Sequence, residues 1–337
     1  AEYGLSGNPS YTSTQWSNWR RQQLTNLVKR IYLECKAIRP SIKVGAAVWN
    51  TAGTGNSSYF QNWDQWMSQH WLDYCSPMNY TTSNSTFNSN ANDSIGRQYG
   101  RHIYMSQGSY MNTISNSMTQ LNSAVSIGFP GICPYSYAVT NSGTVNRTSF
   151  QNSLKAGPFS GYQSVPTMSW ITSPTYGMLK GFVTNSSGMP IYPATVTISG
   201  KSTKVSGTGF YGFVDVSTGN CNVTVTADGY QTWNGSAWIS AGVVADLDVT
   251  MVPAGGGGSE IIIDNPSATF TGSWSTGTAS TDKYGADYRF ANTGSSESAT
   301  AIWRPSIATA GNYDWTVPSK TDTLLSCFGG GLELDRA

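Results

Sequence analysis

Acid/base hydrolysis by side chains alone commonly uses two carboxyl groups, one to protonate a leaving oxygen and one to act as base or nucleophile. The first 170 residues offer five acids for such work: Glu2, Glu34, Asp64, Asp73 and Asp93. Glu34 falls inside a helical pattern and Asp73 at the entrance of a strand, the end of a parallel barrel that serves stability. Asp64 opens or precedes a helix and can cap it. Asp93 reads as a loop residue following the Met78-Asn79-Tyr80 strand, within reach of the active face or simply solvated. Asp64 and Asp93 therefore remain as the catalytic candidates, although no two acids stand out as a pair.

Other chemistries find less support. The two histidines, His70 and His102, are too few for a typical zinc site, and the five cysteines show no CxxC spacing. We expect no metal and no cofactor, and mostly buried free thiols, with one long-range disulfide as the alternative. There is no GxSxG elbow and no HExxH. "GTGNSS" reads as a glycine-containing loop after a strand, without the lysine that phosphate binding requires.

Aromatic and amide side chains are better placed. Apolar runs end at Trp49 and Asn50, at Asn79 and Tyr80, at Gln107 (with Tyr104 nearby) and at Tyr135 and Tyr137. An aromatic ring covers the C–H face of a sugar while amides and hydroxyls bond its OH groups. The expected substrate-binding set is Trp49, Asn79, Tyr80, Gln107 and Tyr135, with Asn79 and Tyr80 orienting a sugar and Trp49 as a stacking wall. The plainer alternatives are that the rings seal a barrel mouth and that Asn79 caps its own loop. Trp16, Trp19, Trp63, Trp66 and Trp71 read as packing residues.

The elements that must position these groups follow from periodicity. Residues 14 to 39 place Trp16, Trp19, Leu24, Leu27, Val28, Ile31 and Cys35 at helical spacing, with Ser13 or Thr14 as cap and Pro40 as stop. This predicts an amphipathic helix packed along that face. "IKVGAAVW" is apolar nearly throughout, as for a strand covered on both faces. The helix-then-strand order recurs, placing strands near 43 to 48, 73 to 79, 102 to 106 and 125 to 133. That alternation predicts α/β architecture and a parallel sheet, here part of a (β/α)8 barrel spanning residues 1–170. Four strands are half a barrel. Either upstream strands are missing or the region closes on another chain, and the first is the expectation.

From Met178 the period shortens to alternating β-rich runs separated by Gly, Asn-Ser and Asp-Gly turns, predicting a small antiparallel β-sandwich over residues 178–253. "VVADLDVTMV" closes it as a further strand. Residues 254–260 form a glycine-rich linker. Residues 261–337 begin an incomplete second β-sandwich and end in an irregular tail.

Composition narrows the partner. Of 337 residues, 38% are hydrophobic and only 11% charged, with a net charge of +1. Lys and Arg outnumber Asp and Glu by eleven to five in residues 1–170, yet form no dense basic stripe, so nucleic acid is not expected as a ligand. No run of 18 apolar residues predicts a membrane span. An uncharged polar partner, a polysaccharide or other glycan, fits better, as does a secreted or cell-surface location.

"WSNWRRQQLTNLVKRIYLECKAIRPSIKVGAAVW", "NWDQWMSQHWLDYCSPMNYT", "RHIYMSQGSY" and "SIGFPGICPYSY", in that order over about residues 11–155, resemble the C-terminal half of the catalytic domain of glycoside-hydrolase-like family 10. That resemblance implies a bacterial, secreted (β/α)8 glycosidase-type protein in which Asn79 and Tyr80 bind sugar. The family's acidic strand end lies in the barrel half without a counterpart here, so no carboxylate carries over. "GFVTNSSGMPIYPATVTISG" and "GTGFYGFVDVSTGNCNVTVTADGY" resemble a carboxypeptidase regulatory-like domain, which implies a spacer or adhesion module. Residues 260 to about 315 resemble the start of a golvesin or xanthan-lyase C-terminal-like domain. The implied activity is acid/base hydrolysis of a polysaccharide. The alternatives are a non-catalytic extracellular glycan-binding or scaffolding protein, or a partial gene product lacking the catalytic carboxylates.

Overall fold

The computed structural model describes residues 10, 12–161, 163–254, 264–279, 285–292, 298–304 and 306. Contacts divide the chain into two units, Ala1–Ala254 and Gly255–Ala337.

The first unit opens with α1 (Thr14–Ile38), whose N-terminal amide at Trp16 donates to the Ser13 hydroxyl at 3.4 Å and whose last turn stops before Pro40. Its buried stripe matches the expected one in part: Leu24 and Val28 pack against the core of the parallel sheet. Thr25, Lys29, Tyr32, Leu33 and Lys36 face inward, while Leu27 and Ile31 are 53% and 46% exposed. The helix is gripped from two sides: the Trp66 indole N–H donates to Thr25 Oγ1 at 3.0 Å, and Leu33 fills the space over Gly212. Lys29 and Lys36 can be buried beside Leu33 because their ammonium ends reach Thr203 and Asp73.

Four βα steps follow: β1 (Gly45–Trp49), α2 (Ala52–Ser58), α3 (Trp63–Ser68), β2 (Tyr74–Asn79), α4 (Asn84–Ile95), β3 (His102–Gly108), α5 (Ile114–Ile127), β4 (Gly131–Tyr135) and α6 (Arg147–Ala156), then the short α7 (Ser169–Thr172). The strands form one parallel sheet in the order β1-β2-β3-β4. Val48, Cys75, Ile103 and Met105 point from it into a core completed by Trp63, Phe87 and other helical side chains.

Several local expectations change. "GTGNSS" is not a loop but most of α2, started by the Thr51 hydroxyl, which accepts from Thr54 N at 3.3 Å. Asp93 lies within α4, not in a loop. The strand expected at 125–133 begins only at Gly131, because α5 runs to Ile127 and ends at Gly128, whose φ of 101° gives the left-handed cap. β1 is not covered on both faces: Val48 is buried but Gly45 and Ala47 are exposed. The thiols are free but not mostly buried; Cys75 and Cys221 are buried, Cys35 is half-buried and Cys133 exposed, while Cys327 lies outside the described residues.

The same unit continues into eight strands: β5 (Gly177–Thr184), β6 (Ala194–Ile198), β7 (Lys201–Lys204), β8 (Phe210–Val216), β9 (Gly219–Ala227), β10 (Trp233–Ile239), β11 (Val244–Asp246) and β12 (Val249–Thr250). One sheet has the order β10-β9-β6-β7; in the other, β5 pairs with β8 on one side and with β11 and β12 on the other. A shared core including Leu179, Val196, Tyr211, Val223 and Val225 joins the two sheets. The pairing is not wholly antiparallel, since β11 and β12 run parallel to β5. After β10 the chain crosses to the other sheet and there follows the direction of β5.

In the second unit, β13 (Thr269–Gly272) pairs antiparallel with β16 (Ala299–Ile302), and β14 (Ser275–Gly277) with β15 (Tyr288–Phe290). Phe270 packs edge-on to Trp274 and Trp303. The linker after Ala254 and the tail beyond residue 306 lie outside the described residues.

Candidate functional site at the ends of the parallel strands

Alternation along the strands sorts the expected ligand-binding residues onto two faces. The register pairs Trp49 with Met78, Met78 with Ser106, and Gly108 with Tyr135, so these residues line one face, and Tyr80 continues it just beyond β2. Asn79 pairs with Gln107 on the other face, toward the helices.

On the first face, the Tyr80 and Tyr135 rings stack at 5.4 Å with an interplanar angle of 14°. Tyr110 stands edge-on to both, at 6.0 and 5.9 Å. Gly108 makes this approach feasible, since a β-carbon there would lie 3.1 Å from the Tyr80 side chain and from Met111 Sδ. Burial, then Cys133 and the two neighbouring tyrosines, push the Tyr80 phenol up to about 12, so it remains a neutral O–H donor. Tyr110 and Tyr135 are 39% and 54% exposed, leaving ring area open. Trp49, on the adjacent strand, stacks on Tyr59 at 3.8 Å, and its backbone N–H donates to Gln61 Oε1 at 2.8 Å. Tyr80, Tyr110 and Tyr135 form a shelf at the C-terminal ends of the parallel strands, and the Trp49–Tyr59 stack lies at the end of the neighbouring strand β1.

Asn79 and Gln107 do not join the shelf. Asn79 is fully buried; its amide donates to the Phe87 carbonyl at 2.9 Å and its oxygen accepts from Asn90 at 2.9 Å, tying β2 to α4. Gln107, equally buried, donates to Gln120 Oε1 at 2.8 Å and to Ser117 at 3.4 Å, tying β3 to α5.

Asp64 and Asp93 are brought together, but by a cation and away from the shelf. Arg97 reaches Asp64 at 3.0 Å and Asp93 at 2.9 Å, and the Tyr99 hydroxyl donates to Asp64 at 2.9 Å. Arg97 follows α4 and precedes β3, near the strand starts. The hydrogen bond to Asp93 comes first among the causes that raise the Arg97 guanidinium.

The other described acids of this region are also engaged. Asp73 is fully buried and receives Lys36 Nζ at 2.8 Å, Trp170 Nε1 at 2.8 Å, Val44 N at 2.8 Å and Tyr32 O–H at 3.1 Å. Glu34 meets Lys180 at 3.4 Å and Arg30 at 3.8 Å. Among the described residues, no three His, Cys, Asp or Glu side chains converge as a metal site. Nor is any described helix long and apolar enough to cross a membrane.

Sequence reasoning missed Tyr110 and Tyr59. Tyr110 was discernible as the aromatic that closes "RHIYMSQGSY", three residues past Gln107; Tyr59 carried no comparable signal.

Comparison with known families assigns three stretches of this chain. Residues 2–119 match the model for glycosyl hydrolase-like 10, residues 178–252 the carboxypeptidase regulatory-like domain, and residues 261–323 the golvesin C-terminal domain. Three family models thus match in series along the chain, each over its own stretch. No match occurs among curated proteins. Similar solved structures include the Bacillus anthracis TIE protein, at 16% identity over 23% of this chain and 17% of that one, with a TM-score of 0.22. A Coh3ScaB-XDoc_M1ScaA cohesin–dockerin complex from Acetivibrio cellulolyticus is similar at 22% identity over 23% of this chain and 58% of that one, with a TM-score of 0.20. The chain thus spans less than two thirds of either structure's length.

Proposed function

We propose that this chain is an extracellular, bacterial-type glycan-binding protein whose N-terminal region, residues 1–170, is a segment of a (β/α)8 barrel carrying a sugar-binding shelf without hydrolytic machinery of its own. The β-domain over 178–253, the linker over 254–260 and the golvesin-like region over 261–337 serve as spacing and attachment modules. One observation carries this reading: Tyr80, Tyr110 and Tyr135 converge at the strand ends where barrel ligands bind, while Glu34, Asp64, Asp73 and Asp93 are engaged by cations elsewhere. Stacked and edge-on rings offer the C–H faces of a pyranose an apolar floor, and the phenols offer hydroxyl partners. Trp49 extends the floor by one strand; Asn79 and Gln107 act from behind by fixing α4 and α5.

The test measures retention on insoluble glucan, xylan, chitin and peptidoglycan alongside release of reducing ends. Retention without new reducing ends is expected, with Tyr80→Ala and Tyr135→Ala each weakening retention by about tenfold, since a lost stacking partner is worth roughly 1 kcal/mol or more. Unchanged retention in both variants would remove the shelf from the account.

The match to glycosyl hydrolase-like 10 favours a second reading, hydrolysis of a polysaccharide with Asp64 or Asp93 as the acid. Sugar release that disappears in Asp64→Ala or Asp93→Ala would replace the binding reading with this one.

A further inference from the structure

Far along the chain from the tyrosine shelf, the β10-β9-β6-β7 sheet buries only one face. Val196, Ile198, Val223 and Val225 point into the core, so the residues between them point outward. That outward face is almost uncharged. Cross-strand pairing sets Asn234 beside Thr224, Thr224 beside Thr197, and Thr197 beside Ser202, a row with one amide or hydroxyl per strand. Thr224 donates to Asn234 at 3.0 Å, and the Thr197 and Ser202 hydroxyls share a hydrogen bond of 2.8 Å. Beyond the row, β9 presents Asn222 and Asn220, and opposite Asn220 stands Trp238, 69% exposed. The charge in this array is Lys204, at a corner on the edge strand β7.

A solvated sheet face is ordinarily interspersed with charges of both signs, and an isolated exposed indole is by itself unremarkable. The combination is different. A flat array of amides and hydroxyls can exchange hydrogen bonds with a neutral hydroxylated polymer at little desolvation cost, because no ion is stripped of water. An indole at its margin supplies the apolar plane that a sugar ring covers with its C–H face. Four strands span about 14 Å, enough for a short run of sugar units.

We propose that this face of the β-domain is a second glycan-binding surface, taking a neutral, pyranose-based polysaccharide across β9 and β10 with Trp238 as its stacking platform. It rests on different residues from the tyrosine shelf and stands whether or not the shelf binds sugar.

The experiment uses the full chain carrying Tyr80→Ala and Tyr135→Ala, so that the shelf is silenced. Mobility is measured in gels containing neutral β-glucan, xylan or anionic polygalacturonate, with pull-down on cellulose and chitin. At least one neutral polymer should retain this protein, and polygalacturonate should not. Adding Trp238→Ala should weaken retention at least tenfold with an unchanged melting midpoint. The pair Asn220→Ala and Asn222→Ala should weaken it too, a check independent of the indole. Absence of retention once the shelf is silenced overturns the proposal but leaves the shelf intact. Retention unaffected by Trp238→Ala, or equally strong on polygalacturonate, also overturns it.

Discussion

At the residue scale, burial and partner geometry decide what each polar group contributes. Asp73 and Lys36 are buried together at 2.8 Å, and further donors fill the carboxylate, so the charge is compensated where it lies. Lys29, on the same buried stripe of α1, is less well served: its ammonium donates to Thr203 Oγ1 at 3.2 Å and lies 5.6 Å from the Trp71 ring, without a carboxylate among these contacts. Burial pushes it from 10.5 down to about 8. The folded state thus disfavours the protonated form: the penalty is full below pH 8, shrinks as pH rises from 8 to 10.5, and is absent above. Replacing Lys29 with Met should therefore stabilise the protein at pH 7, by roughly 2–4 kcal/mol before any packing loss. Urea unfolding at pH 7 and pH 10.5 checks this, and the gain should be much smaller at the higher pH. A gain independent of pH would assign it to packing instead.

At the element scale, a single position of parity separates binding face from packing face. Tyr80 and Asn79 are neighbours in "PMNY", yet one enters the ring shelf and the other holds α4. The strand ends and their aromatic residues were legible because apolar runs of four to eight residues mark strands and turns mark their ends. Which of two adjacent polar residues faces the helices was not, because that depends on the register with β1 and β3. For the same reason α1 was legible as a helix, with Leu24 and Val28 on its packed face, while Leu33 was not: it meets β8, far away in the chain. The parallel docking of β11 and β12 on β5 was likewise hidden, and it leaves a testable mark at Gly181. A β-carbon there would lie 2.0 Å from the Leu247 carbonyl oxygen, which accepts the Tyr211 hydroxyl at 2.6 Å. Gly181→Ala must push the backbone between β11 and β12 outward, so it should cost about 3 kcal/mol in chemical denaturation. Gly53→Ala, on open helix surface, should cost nothing measurable.

At the scale of the first unit as a whole, the α/β region and the β-domain share both apolar and ionic contacts. Tyr32 and Leu33 from α1 form one cluster with Met178, Phe210, Val214 and Val244. Beside it, Arg101 lies 3.6 Å from Asp73, just before β2, and 3.9 Å from Asp215 at the end of β8, while His70 bonds Asp215 through Nδ1 and the Tyr99 carbonyl through Nε2. Burial alone would raise the Asp215 carboxyl, but the hydrogen bond and charge of His70, with Arg101 and Lys201, hold it below its ordinary value. A depressed carboxyl stabilises the fold above its unfolded-state value, and that stabilisation disappears as pH falls through the folded one. Asp215→Asn should therefore destabilise the chain at pH 7, and the gap from the parent should narrow progressively below pH 4, near the carboxylate's ordinary range. Because this contact joins the two parts of the unit, the loss should appear as a lower midpoint of one shared transition, monitored by indole fluorescence and far-ultraviolet dichroism together. Two separated transitions in the parent would mean that the seam does not couple the parts, and a gap that persists at low pH would mean that Asp215 contributes through shape rather than charge.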